Sequence, residues 1–305
     1  MIIEVENLVK SYSLIKAVDN ISFNVEPGEV FGMLGPNGAG KTTTVEIIEG
    51  LRTADSGRVT VLGLDVIEES TMIKQKIGVQ LQAPSLMPAL TVRELLGTFA
   101  GFYKYSLPID DVIELMALTE SRKMLVKNLS GGQQQRLSVA MALINNPEIA
   151  FLDEPTTGLD PQARRGLWTI IENMRDKNKT IFLTTHYMEE AERLCDRVAI
   201  MDYGKIIALD TPQELIRNYF KEKVIQFELE PPPPEIVLRT FAGTTNVTID
   251  TNSVVVYSSD IPATMSAILK YTEKIDLIDK LKNLHVREAT LEDVFLKLTG
   301  RRIRE

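Results

Sequence analysis

The chain has 305 residues, of which 44% are hydrophobic and 25% are charged, a composition typical of a globular protein with a sizeable core. Its length suggests two domains, and the formal net charge of −8 argues against a protein that mainly binds a nucleic-acid backbone. The single cysteine, Cys195, excludes an intramolecular disulfide and is expected to be buried. We find no signal-peptide pattern and no bilayer-spanning apolar segment, so we expect a cytoplasmic protein without a nucleic-acid partner.

In the first two thirds of the chain, apolar strands alternate with helices. The segments EVFGML, EIAFLDE, TIFLTT and RVAIMD have the pattern of buried strands. Such alternation predicts a mostly parallel sheet that is covered on both faces by helices. Between Gln82 and Ser130 the strands stop, and TVRELLGTFAGFY and DDVIELMALT have helical spacing. We therefore expect an α/β domain over residues 1–217 with a helical insert over residues 83–146.

A glycine-rich loop lies between the strand EVFGML and the helix TTTVEIIEGL. Residues 35–42, GPNGAGKT, fit the phosphate-binding pattern G-x-x-x-x-G-K-[ST]. Backbone N–H groups without side chains can wrap around phosphates there, and the N-terminus of the next helix attracts negative charge. Lys41 is placed to reach the β- and γ-phosphates, and the Thr42 hydroxyl is placed to ligate Mg²⁺. The loop therefore predicts nucleotide binding.

Two acidic residues follow the apolar strand EIAFL. Asp153 comes at the carboxyl edge of the expected sheet, where nucleotides bind in such folds, and is suited to hold Mg²⁺ directly or through water. The adjacent Glu154 is placed to align the attacking water as a general base. Acids after a strand also cap helices, which is the structural alternative for this pair.

A second glycine-rich helix start occurs in LSGGQQQRLSVAMALI. Ser130, Gly131 and Gly132 begin a helix whose N-terminus can bind an anion, although Ser-Gly-Gly often merely starts a helix. The chain thus has two candidate phosphate-binding helix ends but one phosphate-loop lysine. The economical interpretation is that each ATP lies between the phosphate loop of one copy and this turn of another copy.

These motifs resemble those of the nucleotide-binding domain of ABC transporters. GPNGAGKTT, LSGGQQQR, FLDEPTTGLD and TTH stand in the family's order and rough spacing over residues 1–217. The resemblance implies a P-loop NTPase fold of the ABC type and an ATPase that works as a homodimer or with a related ATPase subunit. It also implies a separate integral-membrane permease subunit, which would hold the protein at the inner face of the cell membrane. The implied nucleotide-binding residues are Tyr12, Gly35, Pro36, Asn37, Gly38, Ala39, Gly40, Lys41, Thr42, Thr43, Ser130, Gly131, Gly132, Gln133 and Asp160.

Individual roles come from the same resemblance. Tyr12 matches the aromatic residue that stacks on adenine, and Asp160 matches the loop acid that crosses the dimer interface. Gln82 matches the glutamine that touches Mg²⁺ and water and senses the membrane partner; Gln80 is a rival, but Gln82 directly precedes the turn APSLMPALT, as in the family. His186 matches the histidine that contacts the γ-phosphate, whereas by its own pattern it is a helix-start histidine. The expected catalytic residues are Glu154, His186 and Gln82, and the expected metal ligands are Thr42, Gln82 and Asp153.

After about residue 217 the pattern changes. KVIQFELE, NVTID and SVVVYSS alternate like half-buried strands, and EIVLRTF and ATMSAILKYTEKI are helical. This order predicts a small α+β domain of the split βαβ, ferredoxin-like type over residues 218–305, with the prolines at 231–234 as a stiff spacer rather than a ligand motif. The last helix carries an apolar stripe that needs a partner surface in its own domain, the ATPase domain or a second subunit. That stripe consists of Leu291, Val294, Phe295 and Leu298.

The end of the chain carries a second resemblance. Residues 287–301, REATLEDVFLKLTGR, are similar to the end of bacterial exporter ATPases that handle drugs, antibiotics or surface polymers. We therefore expect the ATP-hydrolysing subunit of an ABC exporter, with a C-terminal domain that stabilises or regulates the dimer. One alternative is an ABC importer ATPase. Another is a soluble ABC ATPase that acts on ribosomes or DNA, a class that usually has two cassettes or a long coiled coil. Trp168 and His285 are expected to be structural.

Overall fold

The computed structural model describes residues 1–82 and 86–300. The chain divides into two compact units, of which the first spans Met1–Pro212 and the second begins at Gln213. Within the described residues, no helix is both long and apolar enough to cross a membrane. Residues 83–85 of the turn APSLMPALT and the final residue of REATLEDVFLKLTGR, Arg301, lie outside the described residues.

The strands of the first unit form two sheets. They are β1 (Ile3–Tyr12), β2 (Ile15–Val25), β3 (Val30–Leu34), β4 (Ser56–Val61), β5 (Leu64–Asp65), β6 (Ile77–Gln80), β7 (Ile149–Asp153), β8 (Thr180–Thr185), β9 (Arg197–Asp202) and β10 (Lys205–Asp210). One sheet, of order β2-β1-β4-β5, is antiparallel. The other, of order β10-β9-β3-β8-β7-β6, is parallel except for the pair β9 and β10.

The mostly parallel sheet was expected from the alternation of strands and helices, but the separate antiparallel sheet was not. In β1 and β2 buried residues are interspersed with exposed ones, whereas every residue of β3, β7 and β8 is buried. Strands with one exposed face belong in an antiparallel sheet, and strands buried on both faces belong in a parallel sheet covered by helices. The burial pattern therefore accounts for the division into two sheets.

The helices of the first unit connect these strands. They are α1 (Lys41–Ile48), α2 (Ser70–Lys76), α3 (Val92–Ala100), α4 (Ile109–Leu115), α5 (Gly131–Leu143), α6 (Pro161–Asp176) and α7 (Met188–Leu194). Helices α3, α4 and α5 lie between β6 and β7 in the chain. Both α3 and α5 begin at a capping box, in which the first side chain and a side chain three residues later each bond the other's backbone N–H.

A row of phenylalanine rings joins the two sheets. Phe23 of β2 stacks on Phe31 of β3 with ring centroids 5.3 Å apart, and Phe31 in turn lies 5.3 Å from Phe182 of β8. Phe151 of β7 completes the row at 5.7 Å from Phe182. Aromatic pairs at these separations add to the free energy of burial. The row fixes the relative positions of β3, β8 and β7, whose carboxyl ends carry the expected site residues.

The second unit is an antiparallel sheet with helices. Its elements are α8 (Pro212–Tyr219), which begins at the division, β11 (Lys223–Glu228), α9 (Glu235–Leu238), β12 (Thr244–Asp250), β13 (Ser253–Ser258), α10 (Ile261–Lys274), β14 (Lys282–Arg287) and α11 (Leu291–Thr299). The sheet has the order β12-β13-β11-β14, and the prolines at 231–234 lie between β11 and α9. From β11 to β14 the order of strands and helices is β-α-β-β-α-β.

Helix α11 is held by its own unit. Tyr257 Oη donates to Asp293 Oδ1 at 2.7 Å, and Arg287 Nη1 lies 2.6 Å from Asp293 Oδ2. Lys297 Nζ donates to the Tyr219 carbonyl oxygen at 2.6 Å. Of the apolar stripe, the side chains buried to 1% exposure or less are Leu291, Val294 and Phe295. The polar contacts of α11 are thus made to residues of its own unit, one of the three partner surfaces that the sequence left open.

Candidate nucleotide-binding site

The phosphate loop is framed by backbone atoms of two other segments. Gly40, the N-cap of α1, has a φ of 109°, and a Cβ there would lie 2.1 Å from the Ala17 carbonyl oxygen of β2. From the turn between β9 and β10, Gly204 N donates to the Ala39 carbonyl oxygen at 2.9 Å. Only glycine fits at position 40, because both the positive φ and the nearby carbonyl oxygen exclude a side chain. Asn37 is exposed on the loop, and Thr43 is partly buried in α1.

The loop lysine is buried beside an acidic residue. Lys41 Nζ donates to the carbonyl oxygens of Gly35 at 2.8 Å and Pro36 at 3.2 Å. The same atom lies 3.3 Å from Glu154 Oε1, and both side chains are 4% exposed. Burial lowers the pKa of Lys41, while the charges of Glu154 and Asp153 oppose that effect. The lysine therefore links the phosphate loop to the residues that follow β7.

Glu154 is held in a left-handed backbone conformation directly after β7. Its φ is 48°, and its N–H donates to Thr184 Oγ1 at 3.0 Å. Its Oε2 accepts from Gln82 Nε2 at 3.1 Å and from Thr157 Oγ1 at 3.2 Å. His186 Nδ1 lies 3.3 Å from the same oxygen, although the two atoms do not meet the geometry of a hydrogen bond. The structure thus brings together all three residues that the sequence assigned to catalysis.

The electrostatic surroundings keep Glu154 ionised. The contact with His186 and the charge of Lys41 lower its pKa to about 2, against the opposing effect of burial. A carboxylate of this pKa is negatively charged throughout the physiological range. It can therefore accept a hydrogen bond from a water molecule but cannot donate one.

One of the expected metal ligands is buried at the end of β7. Asp153, the last residue of β7, is 4% exposed and accepts a hydrogen bond at Oδ1 from Thr184 Oγ1. Burial raises the pKa of Asp153, while the hydrogen bond from Thr184 and the charge of Lys41 oppose the rise. Thr42, another expected ligand, lies at the start of α1, is partly buried and directly follows Lys41.

The two candidate glutamines have different surroundings. Gln80 is 1% exposed and its Nε2 donates to the carbonyl oxygens of Leu81 at 2.7 Å and Asp153 at 3.4 Å, so it packs between β6 and β7. Gln82 is exposed apart from its contact with Glu154. The geometry therefore favours Gln82 as the glutamine that faces the reacting groups.

The second glycine-rich turn lies in a separate cavity of about 620 Å³. Ser130 Oγ caps α5 by accepting from Gln133 N at 3.3 Å, and Asp160 Oδ1 caps α6 by accepting from the backbone N–H groups of Gln162 and Ala163, each at 2.9 Å. The Gln133 side chain is engaged by Ser130 N and the Ser121 hydroxyl. No phosphate-loop residue is among the described residues that line this cavity. They include Ser130, Gly131, Gly132, Gly158 and Asp160.

Tyr12 stands at the end of β1 with two cations over its ring. The Arg52 guanidinium carbon lies 5.4 Å from the ring centroid and Lys10 Nζ lies 5.7 Å from it. Arg52 is itself fixed by Glu46, which accepts from its Nε at 2.6 Å. Cations at this distance stabilise the orientation of an aromatic ring. Arg52 could not be found from the sequence pattern, because it follows α1 and is remote from Tyr12 in the chain.

Two buried carboxylates were also missed by the sequence pattern. Glu49, directly after α1, is 2% exposed, and burial together with the charge of Asp153 raises its pKa to about 9. Glu190 of α7 is fully buried, and Trp168, which was expected to be core, donates its Nε1–H to it at 2.8 Å. Acidic residues in helices are mostly exposed, so nothing in the spacing of these two indicates burial.

Comparisons with known proteins identify the family. The model of the family described as ABC transporter matches residues 18–157. A Nod factor export ATP-binding protein I of Burkholderia thailandensis is 39% identical over 310 residues, covering 99% of this chain and 98% of the relative. The protein of the same name from Rhizobium etli is 37% identical over 305 residues, covering 98% of this chain and 93% of the relative.

Solved structures of cassettes share the fold. A dimeric ATP-binding cassette in a post-hydrolysis state, bound to ADP and Pi, is 27% identical with a TM-score of 0.63, covering 68% of this chain and 98% of that one. The ADP conformation of another cassette is 29% identical with a TM-score of 0.63, covering 71% of this chain and 93% of that one. With relatives this similar over nearly its whole length, the chain belongs to the family of ABC transporter ATP-binding proteins and is an ATPase.

Proposed function

We propose that this chain is the ATP-hydrolysing subunit of an ABC exporter, with Glu154 as the residue that aligns the attacking water. The observation that carries the proposal is the arrangement at Glu154, whose carboxylate has Lys41, Gln82 and His186 within 3.3 Å. An ionised carboxylate at the carboxyl end of a central strand can act as a general base towards water. Phosphoryl transfer needs such positioning and charge neutralisation more than covalent help.

The other groups have complementary roles. Lys41 would bind the β- and γ-phosphates, and His186 would contact the γ-phosphate. Thr42, Asp153 and Gln82 would hold Mg²⁺, since a hydroxyl, a carboxylate and an amide oxygen are the hard donors that this ion prefers. The ion pair between Lys41 and Glu154 supports this assignment, because Thr42 directly follows Lys41 and Asp153 directly precedes Glu154. Bound there, Mg²⁺ would neutralise part of the phosphate charge.

The dimer would complete each site. In a two-fold head-to-tail pair, the α5 N-terminus of one protomer, with Ser130, Gly131 and Gly132, would face the phosphates held by Lys41 of the partner copy. Asp160, in the same cavity, would then lie at the interface. The dimeric cassette bound to ADP and Pi supports this arrangement. Loss of the bridging γ-phosphate would open the dimer and supply the movement that drives transport.

The export direction is supported by the whole-chain relatives. Proteins named for export match 98% or more of this chain, including the second unit, whereas the two cassette structures cover 68% and 71% of it. We infer that a separate integral-membrane subunit contacts the surface around Gln82, where Leu81 and Met87 are exposed. The protein would then lie on the inner face of the cell membrane.

Two measurements test the proposal. Phosphate release from ATP should require Mg²⁺ and stop when EDTA is added; release that continues in EDTA would contradict the assignment of the metal ligands. The chain should sediment with membranes when it is co-expressed with its integral-membrane partner, sought among the neighbouring reading frames, and remain in the supernatant without that protein. Equal amounts in the supernatant in both cases would contradict the proposed membrane subunit.

A further inference from the structure

A buried carboxylate outside the proposed catalytic groups joins three segments of the first unit. Glu190 Oε1 accepts from Thr156 Oγ1 at 2.8 Å and from Trp168 Nε1 at 2.8 Å. Thr156 lies in the loop after β7, Trp168 lies on α6, and Glu190 itself lies on α7. All three residues are at most 2% exposed. One oxygen atom therefore connects a loop and two helices without the participation of solvent.

Each of these segments carries a residue with a proposed role at the ATP site. Glu154 comes two residues before Thr156 in the loop. Asp160 caps α6, and His186 directly precedes Tyr187, the residue before α7. A displacement of one segment against another would therefore move a general base, an interface acid or a phosphate-contacting histidine. Misplacement by about 1 Å at such groups can cost about 100-fold in rate.

A second contact between α6 and the residues before α7 lies beside the first. The Arg164 guanidinium carbon of α6 lies 4.2 Å from the centroid of the Tyr187 ring, and that ring lies 4.1 Å from the ring of His186. Burial raises the pKa of Glu190, against the opposing effects of Thr185, Trp168 and Thr156 and of the charge of Arg164. Helix α6 thus contacts the histidine region through both a carboxylate and an aromatic ring.

Helices α6 and α7 are also joined by an exposed ion pair that does not involve Glu190. Arg193 of α7 pairs with Glu172 of α6, with Nε to Oε1 at 2.8 Å and Nη2 to Oε2 at 3.3 Å. This exposed pair joins the same two helices, and its two hydrogen bonds do not involve the loop after Glu154. Burying a carboxylate costs free energy unless it is hydrogen-bonded. Because the exposed pair already joins α6 to α7, the bonds of Glu190 to that loop and to α6 have a role beyond holding the two helices together.

We propose that Glu190 is a positioning residue for ATP hydrolysis. Its carboxylate holds the loop after Glu154 and the helix capped by Asp160 in register with the helix that follows His186. This rests on the proposed function, in which His186 serves the chain's own ATP and Asp160 lies at the dimer interface. Glu190 then links a group of one ATP site to a group at the contact with the other copy.

The test compares four variants of the full chain. In Glu190→Ala the donors Thr156 and Trp168 lose their acceptor, so kcat should fall at least about tenfold while the equilibrium Kd for ATP stays within about twofold. Glu190→Gln keeps an acceptor oxygen and should retain at least about half of kcat. Trp168→Phe keeps an aromatic, smaller ring but removes the Nε1–H donor, and should lower kcat by about threefold. Glu172→Ala breaks the exposed link between the same helices and should leave kcat within about 1.5-fold.

The outcomes separate this inference from the proposed function. A folded Glu190→Ala protein with parental kcat would overturn the positioning role. The role would also be overturned if kcat fell as far in Glu172→Ala, or in Glu190→Gln, as in Glu190→Ala. If Glu190→Ala does not fold, Trp168→Phe decides, and parental kcat in that variant overturns the role. A parent chain that hydrolyses no ATP would instead refute the proposed function.

Discussion

Lys41 Nζ and Glu154 Oε1 form a buried ion pair 3.3 Å apart, linking the phosphate loop to the loop after β7. A buried pair costs several kcal/mol to desolvate, and removal of one partner leaves the other charge uncompensated. Variants at either position can therefore alter stability as well as chemistry. Isosteric changes and binding measurements are needed to tell the two effects apart.

Glu154→Gln should keep ATP binding and lose hydrolysis by about a hundredfold or more, because the amide cannot act as a general base. Slow hydrolysis should also leave a closed dimer with ATP, visible as an earlier peak in size-exclusion chromatography. Phosphate release and ATP affinity are measured in parallel. Glu148→Gln, an exposed residue paired with Lys76, is the matched control and should behave like the parent. Parental hydrolysis by Glu154→Gln would remove Glu154 from this role.

Mixed dimers test the shared site. Lys41→Ala and Ser130→Arg damage different halves of each proposed site, so each homodimer should be inactive. A heterodimer of the two variants has one doubly damaged site and one intact site, and the mixture should recover part of the ATPase rate. Subunit exchange is verified with differently tagged chains. No recovery despite exchange, or full activity in both homodimers, would contradict the head-to-tail arrangement.

Gly40→Ala tests the shape of the phosphate loop. The positive φ is unfavourable for alanine by about 1–2 kcal/mol, and the new Cβ would meet the Ala17 carbonyl oxygen at 2.1 Å. We expect ATP affinity to fall by more than about tenfold and the unfolding midpoint to drop. Gly97→Ala, within α3, is the control, since its Cβ would make an ordinary contact at 3.6 Å and alanine favours a helix. Unchanged ATP affinity in Gly40→Ala would show that the loop adapts to a side chain.

Asp293→Asn tests the anchor of α11 and its dependence on pH. Burial alone would raise the pKa of Asp293, but hydrogen bonds from Arg287, Tyr257 and Thr290 outweigh it, so the folded-state pKa lies below its ordinary value. Its stabilisation is therefore complete above the unfolded-state pKa of about 3.9 and is lost as pH falls through the lower folded-state value.

Thermal or urea unfolding of the full chain measures the difference in the free energy of unfolding between the parent and Asp293→Asn. The measurements run from pH 7 down to the lowest pH at which the parent is still folded. At pH 7 the variant should be less stable by about 3 kcal/mol, because Arg287 loses its partner. The gap between parent and variant should narrow as the parent's carboxylate becomes protonated. Glu273→Gln, exposed on α10, should show no gap at any pH. A gap that is independent of pH would mean that the charge of Asp293 contributes nothing.

Removal of the second unit tests its role. A chain that ends at Pro212 keeps every proposed nucleotide-site residue, so ATP affinity should stay within about threefold of the parent. If the second unit stabilises or regulates the dimer, the subunit dissociation constant should rise or coupling to the membrane subunit should weaken. Sedimentation of the purified chains and transport by the assembled complex are the measurements. A shortened chain that matches the parent in both would show that the second unit is dispensable for them.

The sequence predicted those parts of the molecule whose chemistry depends on residues that are adjacent in the chain. The loop around Lys41 and the acids after β7 could be found because each is a contiguous pattern next to a buried strand. The contacts of Glu190 with Trp168 and of Tyr12 with Arg52 could not, because they join residues far apart in the chain through tertiary packing. The antiparallel pairing of β1 with β4 was missed for the same reason, because Ile3 pairs with Val61 across more than 50 residues of the chain.

The contacts around Gly40 make the shape of the phosphate loop depend on the folding of the rest of the first unit. The phosphate loop is shaped by Ala17 from one sheet and Gly204 from the other, and the second of these lies more than 150 residues away in the chain. A peptide with the loop motif alone lacks both supports, so the loop reaches its binding geometry only when β9 and β10 have docked. A ligand that binds only this completed state adds RT ln(1 + [L]/Kd) to the free energy of unfolding of that state. ATP binding is thus thermodynamically coupled to completion of the first unit, and the nucleotide acts as a selective stabiliser of fully folded chains.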